Sequence, residues 1–173
     1  MIIYGAAFGL PLPYIFREGR KVIMKLTIGG KEYTFKFSVD ASLNDECIEK
    51  TTNLIYSIGN TKNLGDIQQM LHTVSNIPTV ALSVFYAGLL EYHGMGRDAD
   101  HSVRSKDDAR ELIKTYFEEN AGNENANFYG ILNMMIEQMG EDGFFALIGL
   151  DQMFSPQEQR KPRKRKSAEI TAQ

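Results

Sequence analysis

Hydrophobic and polar positions follow two different periods along this chain. From Met24, the run MKLTIGGKEYTFKFSV alternates every second residue. Leu26 and Ile28 alternate with Lys25 and Thr27; past Gly29-Gly30, Tyr33, Phe35, Phe37 and Val39 share one face against Glu32, Thr34, Lys36 and Ser38. Period two interrupted by Gly-Gly predicts a β-hairpin. An isolated hairpin is marginal in water, so its aromatic face must lie on other elements, and an open strand edge is expected to recruit partners unless covered. Beyond Asp40 the period becomes helical. Ser42, with Asp45 three residues on, predicts the start of a helix in which Cys47, Ile48, Thr51, Leu54, Ile55 and Ile58 recur on one side until Gly59-Asn60. A second helix is expected near Asn63, with Ile67, Met70, Leu71 and Val74 on one face. Ser105 and Asp108 form a capping box ahead of Ala109, Leu112, Ile113, Tyr116 and Phe117. Phe128, Ile131, Leu132, Met135, Ile136 and Met139 make a further stripe, ended by Gly140, and GEDGFFALIGL adds an apolar plug from Phe144 to Leu150.

The most apolar stretch is IPTVALSVFYAGLLEYHG, from Ile77 to Gly94. Pro78 suits a first helical turn, Gly94 suits a helix end, and apolar residues lie on nearly every side. A helix apolar all round is usually buried all round, so this one is expected at the centre of the domain. Its length and its polar interruptions argue against a membrane span. One narrow strip, Thr79, Ser83 and Ala87, is small and mildly polar; a second helix could approach closely there, from this chain or from a partner. Adaptable apolar surface would also come from methionines, and Met134, off the stripe of Met135 and Met139, is expected to be the exposed one.

Length and composition change this picture only at the ends. With 173 residues, 43% apolar and 24% charged, the chain can build one ordinary core. The net charge of −3 conceals an acidic body and a basic tail whose core is RKPRKRK, Arg160 to Lys166. That tail suits a nucleic-acid arm or a solvated terminus, and it carries no aromatic residue on which a base could stack. From Ser155 onward disorder is expected, because almost nothing apolar remains to bury. Residues 1–23 carry no positive leader of a signal peptide and are broken by Pro11 and Pro13. They read either as a loosely ordered extension or as a mis-assigned start, since codons for Glu18-Gly19-Arg20 can spell a ribosome-binding site ahead of Met24.

Candidate chemistry is sparse. Cys47 cannot form an intramolecular disulfide, being the one cysteine, and sits on an apolar face as a core residue would. His93, Asp98, Asp100 and His101 are the best metal-ligand types in one loop, but their spacing matches no recognised site. Ser102 beside His101 is sequence-adjacent, which is not how a nucleophile and its base are placed. Asp107-Asp108 and Glu118-Glu119 fit capping and solvation at helix ends. No cofactor, metal or small-molecule substrate is expected.

Several segments together carry a resemblance. MKLTIGGKEYTFKFSVD, then TVALSVFYAGLLEYHG, then SKDDARELIKTYFEE and the late EDGFFALIG resemble, in that order, segments of the tail assembly chaperones of tailed phages and prophages of Gram-positive bacteria. The likeness spans Met24 to Leu150; residues 1–23 are extra, and DASLNDECIEKTTNLIYSIGN is a weak match to the family's usual first helix. It implies a non-enzymatic protein of the host cytoplasm that binds the tape-measure protein, keeps it soluble, helps recruit tail-tube subunits, and is absent from the finished virion. It also implies a frameshifted longer product, for which the Lys- and Arg-rich codons of residues 159–166 could supply the slippery run. The resulting expectation is an α+β domain over residues 24–154, a hairpin on about five helices, followed by a disordered basic tail over 155–173. Thr79, Ser83, Ala87 and Met134 are its candidate partner-binding residues. An alternative is a small adaptor or regulatory protein that touches nucleic acid through the tail; a third, a hydrolase, would need the His93–His101 loop as its site.

Overall fold

The computed structural model describes residues 23–60 and 67–150. The readings of residues 1–22, of the tail and of a frameshift site lie outside them. Within them the fold is α+β: β1 (Met24–Ile28), β2 (Lys31–Phe35), α1 (Val39–Ser42), α2 (Asp45–Asn60), α3 (Ile67–His93), α4 (Lys106–Glu119), α5 (Phe128–Glu141) and α6 (Phe144–Leu147).

The hairpin forms where the alternation predicts it. Met24 faces Phe35, Leu26 faces Tyr33 and Ile28 faces Lys31. Gly29 and Gly30 have φ of 60° and 74°, the two left-handed residues of a type I′ turn, which matches the twist of the strands it joins. Its aromatic face lies on α3. Phe35 stacks edge-on against Phe85 at 4.9 Å, and a Cβ on Gly88 would lie 3.0 Å from Phe37 and 3.1 Å from Phe35. Glycine at 88 therefore sets how near the hairpin comes to the helix. Val39, expected on the same face as these aromatics, instead opens α1 and is 57% exposed, because regular strand pairing stops at Phe35.

The free edge of β2 is covered at its C-terminal end. In this register the N–H groups of Thr34 and Lys36 point away from β1. His93 Nε2 accepts the first at 2.9 Å and the Gly88 carbonyl accepts the second at 2.8 Å. The carboxylate of Asp142, just past α5, accepts from Phe37 N–H at 2.7 Å. β1 is left as the outer strand, with α4 beside it and Glu119 accepting from Gly29 N–H at 3.1 Å.

Three helix boundaries differ from expectation. Pro78 does not open a helix; it lies inside α3, which runs unbroken for 27 residues and absorbs the separate helix expected near Asn63. A proline removes one intrahelical hydrogen bond and crowds the preceding turn, costing about 3 kcal/mol. The buried residues that follow, Val80, Ala81, Val84, Phe85 and Leu89, offset that cost by packing. Ser42 ends α1 rather than capping α2; the cap is Asn44, whose Oδ1 accepts from Cys47 N–H at 2.9 Å. Helix α5 passes Gly140 and ends at Glu141, with Gly143 taking the left-handed turn at φ 71°. The capping box of Ser105 and Asp108 forms as the sequence indicates.

Helix α3 is the centre, with β2, α1, α2, α4 and α5 against it. Its stretch Val74–His93 has the length and hydropathy to cross a membrane, and 44% of that window is buried within this domain, including Val84, Phe85, Ala87 and Leu89.

Candidate functional site

The residues expected to face a partner are mostly turned to the domain's own use. Ser83 and Ala87 are buried. At Ser83 the close approach is made by α2: Ser83 Oγ lies 3.0 Å from the Thr79 carbonyl and 3.3 Å from both Glu46 and Lys50 of α2. Only Thr79 of the strip is exposed. Above it, Glu46 binds Lys50 and Lys106, which ties α2 to α4. Hydrogen bonds from those two ammonium groups pull the Glu46 carboxyl from its ordinary 4.5 to about 2, against an opposing effect of burial. Met134 is not the open methionine; it is half-buried against the core, beside fully buried Met135 and Met139. Met95, in the loop after α3, is 65% exposed, and the periodicity of the helices gave no means of singling it out.

The loop with candidate metal or hydrolytic residues does bring some of them together. His93 Nδ1 is 2.9 Å from Asp100 Oδ2, Ser102 Oγ is 2.6 Å from Asp100 Oδ1, and Lys31 Nζ is 2.9 Å from Asp100 Oδ2. The residue types suggest a nucleophile–base–acid trio, but the protons are already committed. Thr34 N–H can only donate, so Nε2 of His93 must be the bare nitrogen. Its proton then sits on Nδ1 and goes to Asp100. Ser102, at 3.5 Å from that Nδ1–H, cannot hand it a proton and donates to Asp100 instead. Neither ring nitrogen is left for a metal or for general-base work. Burial alone would push the Asp100 carboxyl up; the bonds from Ser102, Lys31 and His93 hold it well below the usual carboxylate range.

His101 is not part of this trio. It sits at φ 56°, a left-handed conformation, and its Nδ1 lies 3.1 Å from the Gly94 carbonyl. Asp98 is exposed. Among the described residues, no three His, Cys, Asp or Glu side chains are grouped so as to hold a metal. The cluster's visible task is mechanical: it pins β2 to the C-terminal end of α3. Tyr33 adds to it, with its ring 5.0 Å from that of His93 and Lys31 Nζ 5.0 Å from its face. Cys47 is fully buried, and burial pushes its thiol up to about 11, which leaves it protonated and unreactive.

A second clamp follows along the same seam. Lys36 Nζ is 2.6 Å from Glu91, and Ser38 hydroxyl donates to the other oxygen of that carboxylate. The Lys36 and Ser38 bonds lower the Glu91 carboxyl, and the same Glu91 contact raises the Lys36 ammonium.

Among the described residues, several large apolar side chains stand in water; Ile23, Val74 and Tyr129 do so singly, and others gather at one corner. Val39 (57% exposed) and Leu43 (73%) sit four residues apart in and just after α1, and Leu147 (51%) sits in α6. Helices α1 and α6 are neighbours, joined beneath by Phe37 against Phe144 at 5.6 Å. Met95 lies close by, since a Cβ on the adjoining Gly96 would be 3.9 Å from Asp40 of α1. Sequence periodicity hid this corner because short helices of four residues set no stripe. Compared with known proteins, the chain matches no family model, no curated sequence and no solved structure.

Proposed function

We propose that this protein is a non-enzymatic tail assembly chaperone. It would bind the tape-measure protein in the host cytoplasm, keep it soluble and help recruit tail-tube subunits, as the resemblance over residues 24–150 implies. The observation that carries the reading is the exposed apolar corner where Val39, Leu43 and Leu147 come together on the neighbouring helices α1 and α6, beside a continuous core. An exposed apolar patch on a folded domain marks a surface for binding another chain. A tape-measure protein before assembly is a long helix with uncovered apolar faces, which is a fitting client.

The test is co-expression of the tagged full chain with the long coiled-coil reading frame that the reading places downstream in the same genome. The expected result is a soluble complex, with the long protein insoluble when made alone. A long protein that stays insoluble beside well-folded chaperone overturns the assignment.

A further inference from the structure

The acidic and apolar residues around α1 and α6 say what kind of partner the corner takes. Residues 38–49 and 137–150 contain Asp40, Asp45, Glu46, Glu49, Glu137, Glu141 and Asp142 and no Lys or Arg. Glu46 is occupied by Lys50 and Lys106, and Asp142 by Phe37 N–H. Asp40 and Asp45 are exposed, next in the chain to Val39 and close to Leu43, and Glu141 is half-exposed at the end of α5 ahead of α6; against these three acids stands the exposed Arg97, in the loop whose Gly96 approaches Asp40, so negative charge prevails around the corner. We propose that this corner is a docking site for an amphipathic helix that carries an apolar stripe and a basic flank. The apolar side chains supply affinity by leaving water, and the acids select the charge of the partner and steer its approach. The inference deepens the chaperone reading and rests on it for the identity of the client, while the chemistry of the site is its own.

The probe is a labelled leucine–lysine amphipathic peptide of about 18 residues, roughly 27 Å of helix, against its leucine–glutamate counterpart. Fluorescence anisotropy with the full-length protein reads binding. The lysine peptide should bind at least about tenfold tighter than the glutamate peptide, and the gap should narrow at high salt. The double variant Leu43→Ser with Leu147→Ser keeps every charge and should weaken binding by about tenfold or more, because two leucine side chains no longer leave water when the peptide docks. Val74→Ser, an exposed apolar residue of α3, should leave binding unchanged.

Equal binding of the two peptides overturns the charge selection. Unchanged binding by the double variant, or equal weakening by Val74→Ser, overturns the site. Neutralising the six basic residues between 160 and 166 to Gln in the full chain should also change nothing; tighter peptide binding there would assign the corner to the chain's own tail and overturn an external partner. A double variant that loses the peptide yet still solubilises the long reading frame sinks the docking site alone. Wild-type protein that binds the peptide but never the long frame sinks the chaperone reading alone.

Discussion

The seam between the hairpin and α3 differs from the corner formed by α1 and α6 in how its groups are satisfied. At the seam, the outward N–H groups of Thr34 and Lys36 meet acceptors on α3, Phe35 and Phe37 close over Gly88, and Asp100 and Glu91 each gather more than one donor. At the corner, Phe37 and Phe144 are sealed beneath, while Val39, Leu43 and Leu147 stand outward. The difference separates support from surface. Groups bonded within the fold resist change, and apolar groups left in water stabilise nothing until something covers them. The His93–Asp100–Ser102 trio shows why side-chain identity is a poor guide on its own. Its residue types suggest catalysis, whereas its hydrogen bonds show a fastening.

The contrast can be broken or sharpened by substitutions on each side. Phe85→Ala removes the ring on which Phe35 rests and should cost about 3–5 kcal/mol in urea unfolding, the usual range for a buried aromatic. His93→Ala should cost about 1–3 kcal/mol, because Thr34 N–H loses its buried acceptor. A variant as stable as wild type would show that the trio does not fasten the hairpin. Gly88→Ala places a methyl group against two phenyl rings and should cost about 1–3 kcal/mol through overpacking.

Acid should loosen the Asp100 and Glu91 clamps of the seam and, beside them, the Glu46 tie between α2 and α4. Glu46, Glu91 and Asp100 all have carboxyls held below their ordinary range, so the unfolded chain takes up their protons first as pH falls. The stability from Glu46 is complete above pH 4.5 and is lost progressively as the pH falls to about 2. Thermal melts across that interval should fall less steeply in Glu46→Gln than in wild type. An equally steep fall would remove Glu46 from the account. Glu46 is well exposed, so salt also trims its contribution. The smallest effect belongs to the corner: Leu43→Ser and Leu147→Ser should each change stability by no more than about 0.5 kcal/mol, as surface substitutions do. A larger loss would place these side chains in the core and not on a binding surface.

Much of the secondary structure was legible because its causes lie within a few residues. Gly29-Gly30 between alternating runs specified the I′ hairpin, Ser105 with Asp108 specified the start of α4, and the apolar stripe from Phe128 to Met139 specified α5. Rules of local spacing misled where packing outweighed them. Pro78 reads as a helix start, but α3 carries through it to bury Val80 to Leu89. Ser42 reads as a cap, but Asn44 does that work once α1 has formed.

The candidate site was less legible still. Ser83 permits a close neighbour, and only the tertiary structure shows it to be α2 of the same chain, with Ala87 buried in the core. The sequence by itself determined which segments pair or coil, because dihedral preference, capping and periodicity act over one turn. The tertiary structure alone decided that His93 meets Thr34, that Asp142 meets Phe37 and that α1 lies beside α6. Those pairings join residues far apart in the chain. They are fixed by how whole faces fit together, and no local pattern encodes which donor will find which acceptor or which leucine will be left in water.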